Sequence, residues 1–338
     1  MGSTAARIAN APDYRLVVDG EVITPRIRGR LVRLRLTDQR GGEADQLDLT
    51  LSDHDGRLVM PPRGALIELA IGWRHSGLVD RGTFTVDELE HTGTPDTLSI
   101  RARSANLRQR LPGKRTQSWH QITVGDIVDT IARRHGLTPR AGSRLATREI
   151  PHIDQTDESD LNFLTRLAER FDAVATIKAG NLLFIPAGEA STAGGSAIPP
   201  VTLTRRDGDR HRYVITDRDT YTGVVAYWRD LESAEKRKVV AGTEDDAKQL
   251  RPTYASEADA LDAANAEWTR IQRSEGELSL TLAEGRADLY PETPVVTRGY
   301  KPPIDATPWL ITEVVHSLTD TSYTGDLSLE HRNSANQD

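Results

Sequence analysis

The strand pattern Leu47-x-Leu49-Thr50-Leu51 is met again as Leu278-x-Leu280-Thr281-Leu282, 231 residues further along the chain. Period-two alternation is the period of a β-strand, whose side chains point to opposite faces in turn. Two more pairs follow in the same order. Phe84-x-Val86-x-Glu88-Leu89-x-His91 matches Trp309-x-Ile311-x-Glu313-Val314-x-His316 at an offset of 225, and Leu98-Ser99-Ile100 matches Leu327-Ser328-Leu329 at 229. Any half-buried strand would share the apolar alternation, but the Thr, Glu and His matches lie outside it. The pattern therefore predicts two copies of one antiparallel β-domain, with offsets that vary as loop lengths do.

Upstream, Val32–Leu36 pairs by pattern with Val224–Trp228 at an offset of only about 190, so about 40 extra residues are expected in the second copy. They fall at about Leu231–Glu275 and carry a helix from about Glu257 to Arg273. Ser256 is its expected cap, and Leu261, Ala264, Trp268 and Ile271 line one face that needs a partner. The expected partner is the middle of the chain, where the period changes. Val124, Ile127, Val128 and Ile131 recur at helical spacing between a capping Thr123 and a terminating Gly136. A second helix carries Leu161, Leu164, Leu167, Ala168 and Phe171, with Thr156 or Asp157 as its cap, and Ala173–Ile177 with Leu182–Ile185 reads as a hairpin.

The expected architecture is α+β and mainly β: two related antiparallel β-barrel domains plus a small α/β domain, the second barrel split by a helical insertion. The divisions are 1–108 for the first barrel, 109–200 for the α/β domain, and 201–231 with 276–332 for the second barrel. Residues 232–275 form the insertion packing on the α/β domain, and 333–338 a disordered tail. Gly188–Pro200, rich in Gly, Ser, Ala and Pro, is expected to be a flexible linker.

The 338 residues carry no cysteine, which removes disulfides, thiolate metal sites and cysteine nucleophiles. A net charge of -7 argues against a general nucleic-acid binder. The first 13 residues carry no apolar signal region, and the apolar runs are strand-sized, so the expectation is a cytoplasmically made protein with no membrane insertion of its own.

Motifs that carry chemistry are weak. Pro112-Gly113-Lys114-Arg115-Thr116 resembles a phosphate loop only in part, because Arg108 stands where the upstream glycine should be and Arg follows the Lys. It reads as a basic surface loop. No G-x-S-x-G elbow and no H-E-x-x-H occurs. His152 with Asp154 could form one edge of a metal site, but spacing offers no third ligand and a surface pair beside a turn is the preferred reading. Asp53-His54-Asp55-Gly56 opens like a calcium loop, yet Arg57 and Leu58 occupy later ligand positions, so it reads as an Asp-Gly turn. Carboxylates can also converge in space for glycoside hydrolysis without any spacing in sequence. The expectation is no catalytic, cofactor-binding or metal residue, no cofactor and no enzyme. A tail-associated peptidoglycan hydrolase, or a LysM-like glycan-binding module at Ile122–Gly136, is kept as the alternative.

Three stretches together resemble the late control protein D family of contractile-tailed phages, itself similar to the hub part of VgrG proteins. They are Gly82–Glu88 through Leu98–Arg103, Gln155–Leu164 with Leu167-Ala168, and Trp309–His316 with Leu327–Glu330. The resemblance implies a structural baseplate hub of a contractile phage tail or related injection system. It implies a homotrimeric ring between the sixfold tail tube and the threefold spike, located in the virion tail baseplate and assembled in the host cytoplasm. Implied partners are a second and third copy of the chain, a trimeric tail spike protein as a separate chain, the tail tube protein, and tape-measure and other baseplate proteins. Neither stable nucleic-acid binding nor catalytic residues are implied.

Overall fold

The computed structural model describes residues 11–41, 44–104, 113–178, 180–188, 190, 196–215, 221–230, 233–274 and 276–332. The expected tail at 333–338 and part of the expected linker, 189 and 191–195, lie outside the described residues. Alternating apolar residues set the first β-half: β1 (Pro12–Val18), β2 (Glu21–Val22), helix α1 (Thr24–Ile27), β3 (Leu31–Gln39), β4 (Gln46–Ser52), β5 (Leu66–Trp73), β6 (Gly77–Thr92) and β7 (Thr97–Ser104). Leu34, Leu36, Leu47, Leu49, Ile67, Leu69, Phe84 and Ala102 point inward to one core.

The middle domain follows with β8 (Lys114–Thr123), α2 (Val124–Arg134), β9 (Thr138–Ala141), α3 (Ser143–Ala146), β10 (Glu149–Ser159), α4 (Asp160–Arg170), β11 (Ala173–Lys178) and β12 (Asn181–Pro186). Helix α2 begins and ends as its sequence dictates. Thr123 and Asp126 form a reciprocal capping box, and Gly136 at φ +64° lets Leu137 N–H reach the Ala132 carbonyl at 2.8 Å. Helix α4 departs from expectation. Its cap is Ser159, whose hydroxyl accepts from Asn162 N–H, because Thr156 and Asp157 are still part of β10. Its fully buried Phe163, outside the predicted stripe, stacks on Trp119.

The second β-half comprises β13 (Val201–Thr204), β14 (Gly208–Ile215), β18 (Gly276–Leu282), β19 (Pro294–Arg298), helix α6 (Pro302–Asp305), β20 (Trp309–Leu318) and β21 (Tyr323–His331). Between β14 and β18 sits the insertion, with β15 (Gly223–Arg229), β16 (Lys236–Gly242), β17 (Ala247–Tyr254) and α5 (Glu257–Ser274).

The two halves have the same strand order. The first runs β3-β4-β7-β6-β5-β1 and the second β14-β18-β21-β20-β19-β13. Even the irregularities coincide: one bulge falls between Leu31 and Arg33 in β3 and between Gly208 and Arg210 in β14. The other falls between Val86 and Glu88 in β6 and between Ile311 and Glu313 in β20. A bulge re-aims its strand and increases local twist, so shared bulges mean shared curvature. The copies differ at the last strand, since β1 runs antiparallel to β5 but β13 runs parallel to β19.

The register corrects two expectations. The counterpart of β3 is β14, at an offset of 177, and Val224–Trp228 instead pairs with β16 and β17 in a separate three-stranded sheet. In β7 and β21, Ile100 corresponds to Leu327 through their shared partners Leu49 and Leu280, an offset of 227 in place of 229. A slip of two residues keeps every side chain on its face, so alternation alone could not detect it.

The insertion also covers its own helix. Ala260, Ala264, Trp268 and Ile271 of α5 pack on Val224, Ala226, Val239 and Ala241, while Leu261 is 41% exposed. The apolar face expected to seek the middle domain is therefore satisfied locally, and the middle domain receives the polar flank of α5. There Arg148 pairs with Asp262, Arg170 pairs with Asp259, and Arg270 donates to the Glu169 carbonyl at 3.1 Å.

Candidate functional site: the joint between the β-halves

Strand β20 pairs antiparallel with β3 from Glu313↔Gln39 to Leu318↔Leu34, so the two halves become one continuous sheet. Among the described strands this ladder stays open, running from β14 at one end to β2 at the other. Polar side chains lock the joint. Gln39 Nε2 donates to Glu313 Oε2 at 2.9 Å, and Trp73 Nε1 donates to the Gly285 carbonyl at 2.8 Å.

Arg81, from the first half, is almost completely enclosed by the second. Its side chain is 1% exposed. It donates to Asp38 at 2.8 Å and to the Ala287 carbonyl at 3.0 Å, and lies 4.0 Å over the Tyr290 ring. A buried guanidinium without such partners would cost several kcal/mol, so this residue specifies one way of joining the halves.

A second charged cluster ties the remaining parts to this joint. Arg40, just after β3, lies 2.6 Å from Glu292 and 2.6 Å from Glu330. Arg273, at the end of α5, reaches Glu330 at 3.2 Å and donates to Asp172 of the middle domain at 2.6 Å. Gly188 N–H donates to Glu292 at 3.1 Å, and Ala190 is buried, so these described residues of the expected linker are held in place. Burial pushes the Glu292 carboxyl up from the ordinary range, against the opposing charge of Arg40. Both β-halves, the middle domain and the insertion thus converge on one set of ion pairs. Sequence reasoning missed this cluster, because its members are spread from residue 40 to residue 330 with no common spacing.

The residues weighed for chemistry take part in local ion pairs and hydrogen bonds. Lys114, Arg115 and Thr116 lie in β8, with Lys114 2.7 Å from Asp157 and Arg115 3.5 Å from Asp160. Asp53 accepts from Leu58 N–H at 3.0 Å and meets His91 at 3.2 Å, while Asp55 holds Arg30 in a two-point pair. Asp160 is buried beneath Arg134, His135 and Gln155. Burial acts to raise its carboxyl, but the hydrogen bonds from Gln155, His135 and Arg134 outweigh that and hold it below the usual range. His152 and Asp154 lie together on the exposed face of β10, 3.1 Å apart. Among the described residues, no three of His, Asp and Glu converge as metal ligands, and no helix is long and apolar enough to cross a membrane.

Comparisons agree with this architecture. A curated relative, the probable baseplate hub protein of Escherichia phage 186, is 44% identical over 95% of this chain and 93% of its own length. The tail protein of Neisseria meningitidis MC58 superposes with a TM-score of 0.69 over 94% of this chain and 96% of its own, at 16% identity. The Escherichia coli c3393 protein, a component of the type VI secretion system, does so with a TM-score of 0.57 over 90% of this chain and 74% of its own, at 14% identity. The family model described as phage tail baseplate hub (GPD) matches residues 46–322, and with these two joined β-halves the chain belongs to that baseplate hub family.

Proposed function

We propose that this hub acts as a non-enzymatic homotrimeric ring that adapts the sixfold tail tube to the threefold spike. The observation that carries the proposal is the bulge-for-bulge equivalence of the two β-halves and their fusion through β20 and β3. Three chains with two equivalent units each present six near-equivalent surfaces, while everything that occurs once per chain keeps threefold order. In this reading the β-halves face the tube, and the middle domain (109–200) with the insertion braced on it serves the threefold side. Strands β14 and β2, the two ends of the sheet, carry exposed residues including Arg210, Arg212, Glu21 and Val22, and are the edges offered to neighbouring chains.

Light scattering on the purified chain, alone and mixed with its spike, tests the ring. A mass of three chains in the spike complex is expected, with six similar lobes on one face in electron microscopy. A stable dimer, or a ring of any other number on the spike, overturns the reading. Zymography on purified peptidoglycan tests the non-enzymatic part, and clearing that disappears with one acidic substitution would establish the hydrolase alternative.

A further inference from the structure

The middle domain brings together a trio that the sequence shows only in part. Strand β10 pairs with β8 so that His152 faces His120 directly across the ladder. Their rings stack with centroids 4.6 Å apart, and the two Nδ1 atoms are 3.1 Å apart. On the far side of His152, Nε2 meets Asp154 Oδ2 at 3.1 Å. Asp154 is in turn hydrogen-bonded by Ser118, its partner across the ladder. All four side chains are on exposed positions of the β8–β10 ribbon.

A carboxylate oxygen only accepts, so Asp154 takes the Nε2 proton of His152 and leaves the lone pair of His152 Nδ1 on the side of His120. Two imidazole nitrogens bound to one tetrahedral cation at about 2.0–2.1 Å lie about 3.3 Å apart, close to the separation found here. A carboxylate on the outer nitrogen of a ligating histidine is the usual support for such a ligand. Without a cation, one Nδ1 donates its proton to the other. We propose that His120 and His152 form a surface site for a first-row divalent cation of the Ni²⁺, Cu²⁺ or Zn²⁺ class, with Asp154 orienting His152 and water completing the coordination. Imidazole donors select these ions over Mg²⁺ and Ca²⁺, which prefer oxygen.

Isothermal titration of NiCl₂ into the untagged, chelator-treated full chain tests the site. One equivalent is expected to bind at least tenfold more tightly to the wild type than to His120→Ala or His152→Ala, and Asp154→Asn is expected to weaken binding about tenfold. Because these residues are exposed, the variants should keep the wild-type circular dichroism. Electron paramagnetic resonance of the Cu²⁺-loaded wild type should show coupling to two nitrogens, reduced to one in either single variant. Titration curves for the wild type that match those of the double variant, whose other seven histidines remain, would overturn the proposal. So would a Cu²⁺ spectrum unchanged by His120→Ala.

Discussion

The hydroxyl of Tyr323 is hydrogen-bonded to Nδ1 of His316 at 2.9 Å, and both side chains are sealed inside the joint between the β-halves. Burial first, and the nearby charge of Arg81 second, push the His316 imidazole down to about 3, so it stays neutral through the physiological range.

This pair predicts an acid-sensitive joint. A histidine depressed in the folded state stabilises the fold fully above its unfolded value of 6.5, and that stability is lost as pH falls from there toward about 3. The His316→Phe variant leaves the buried Tyr323 hydroxyl without its hydrogen-bond partner and should lose about 1–3 kcal/mol at pH 8. Below pH 6.5 its stability should decline less steeply than the wild type, by up to about 1.4 kcal/mol per pH unit. Urea denaturation between pH 8 and pH 4 measures both, and parallel curves would count against the assignment.

The Arg40–Glu292–Glu330–Arg273–Asp172 cluster predicts coupled unfolding of the chain's parts. Arg273→Ala leaves Asp172 without its guanidinium and Glu292 and Glu330 facing Arg40 alone, at a cost of about 3–5 kcal/mol. Calorimetry should then show the insertion and middle domain melting before the joined β-halves, where the wild type melts with them. The raised Glu292 carboxyl has the opposite pH sign to His316: its contribution is full below the unfolded 4.5 and is lost as pH rises through the folded value. Glu292→Gln should remove that loss.

Gly285 is tightly packed in the joint. A Cβ there would come within 2.2 Å of the Tyr323 ring, while its carbonyl receives the Trp73 indole N–H. Gly285→Ala should therefore destabilise by about 1–3 kcal/mol through overpacking, read as a lower midpoint in thermal or denaturant unfolding. An unchanged midpoint would mean that Tyr323 has room to move.

Much of this fold was legible because strand periodicity and local caps are written in adjacent residues. Phe84, Val86, Glu88 and His91 find Trp309, Ile311, Glu313 and His316 at equivalent rungs because both copies keep the same bulge. Strand β14 carries a readable pattern only at its end, Tyr213–Ile215, and the physical reason lies in the rest of it. Its Asp209, Arg210, His211 and Arg212 are all exposed, as suits an edge strand, so it lacks the alternation that betrays a strand. The apolar run Val224–Trp228 drew the match in its place, although its burial comes from α5 and its own small sheet. The histidine pair at 120 and 152 was hidden because a 32-residue separation says nothing of a shared rung.

The insertion should be removable, and the geometry of its ends says how. Ile215 and Gly276 are direct partners on the β14–β18 ladder, with antiparallel pairing from there to Gly208 and Leu282. In the first half the same two strands, β3 and β4, are joined by a connection of only six residues between Gln39 and Gln46. Replacing residues 216–275 with a two-residue Asn-Gly turn should therefore convert an interrupted pair into an ordinary hairpin, at little cost in loop closure. The apolar core of the insertion is its own, so its loss exposes little of the second β-half core. The cost falls on charge. Arg273 leaves with the insertion, and Asp172, Asp259's partner Arg170 and Asp262's partner Arg148 lose their ions. The shortened chain should remain folded, with its β-sheet circular dichroism intact and a single β-half transition, but with a middle domain that is more readily cut by protease. Adding Glu330→Gln, which removes one carboxylate left near Arg40 and Glu292, should recover part of the lost stability. A shortened chain that cannot fold even with Glu330→Gln would mean that the insertion is needed to form the second β-half, and that the hairpin reading of β14 and β18 is wrong.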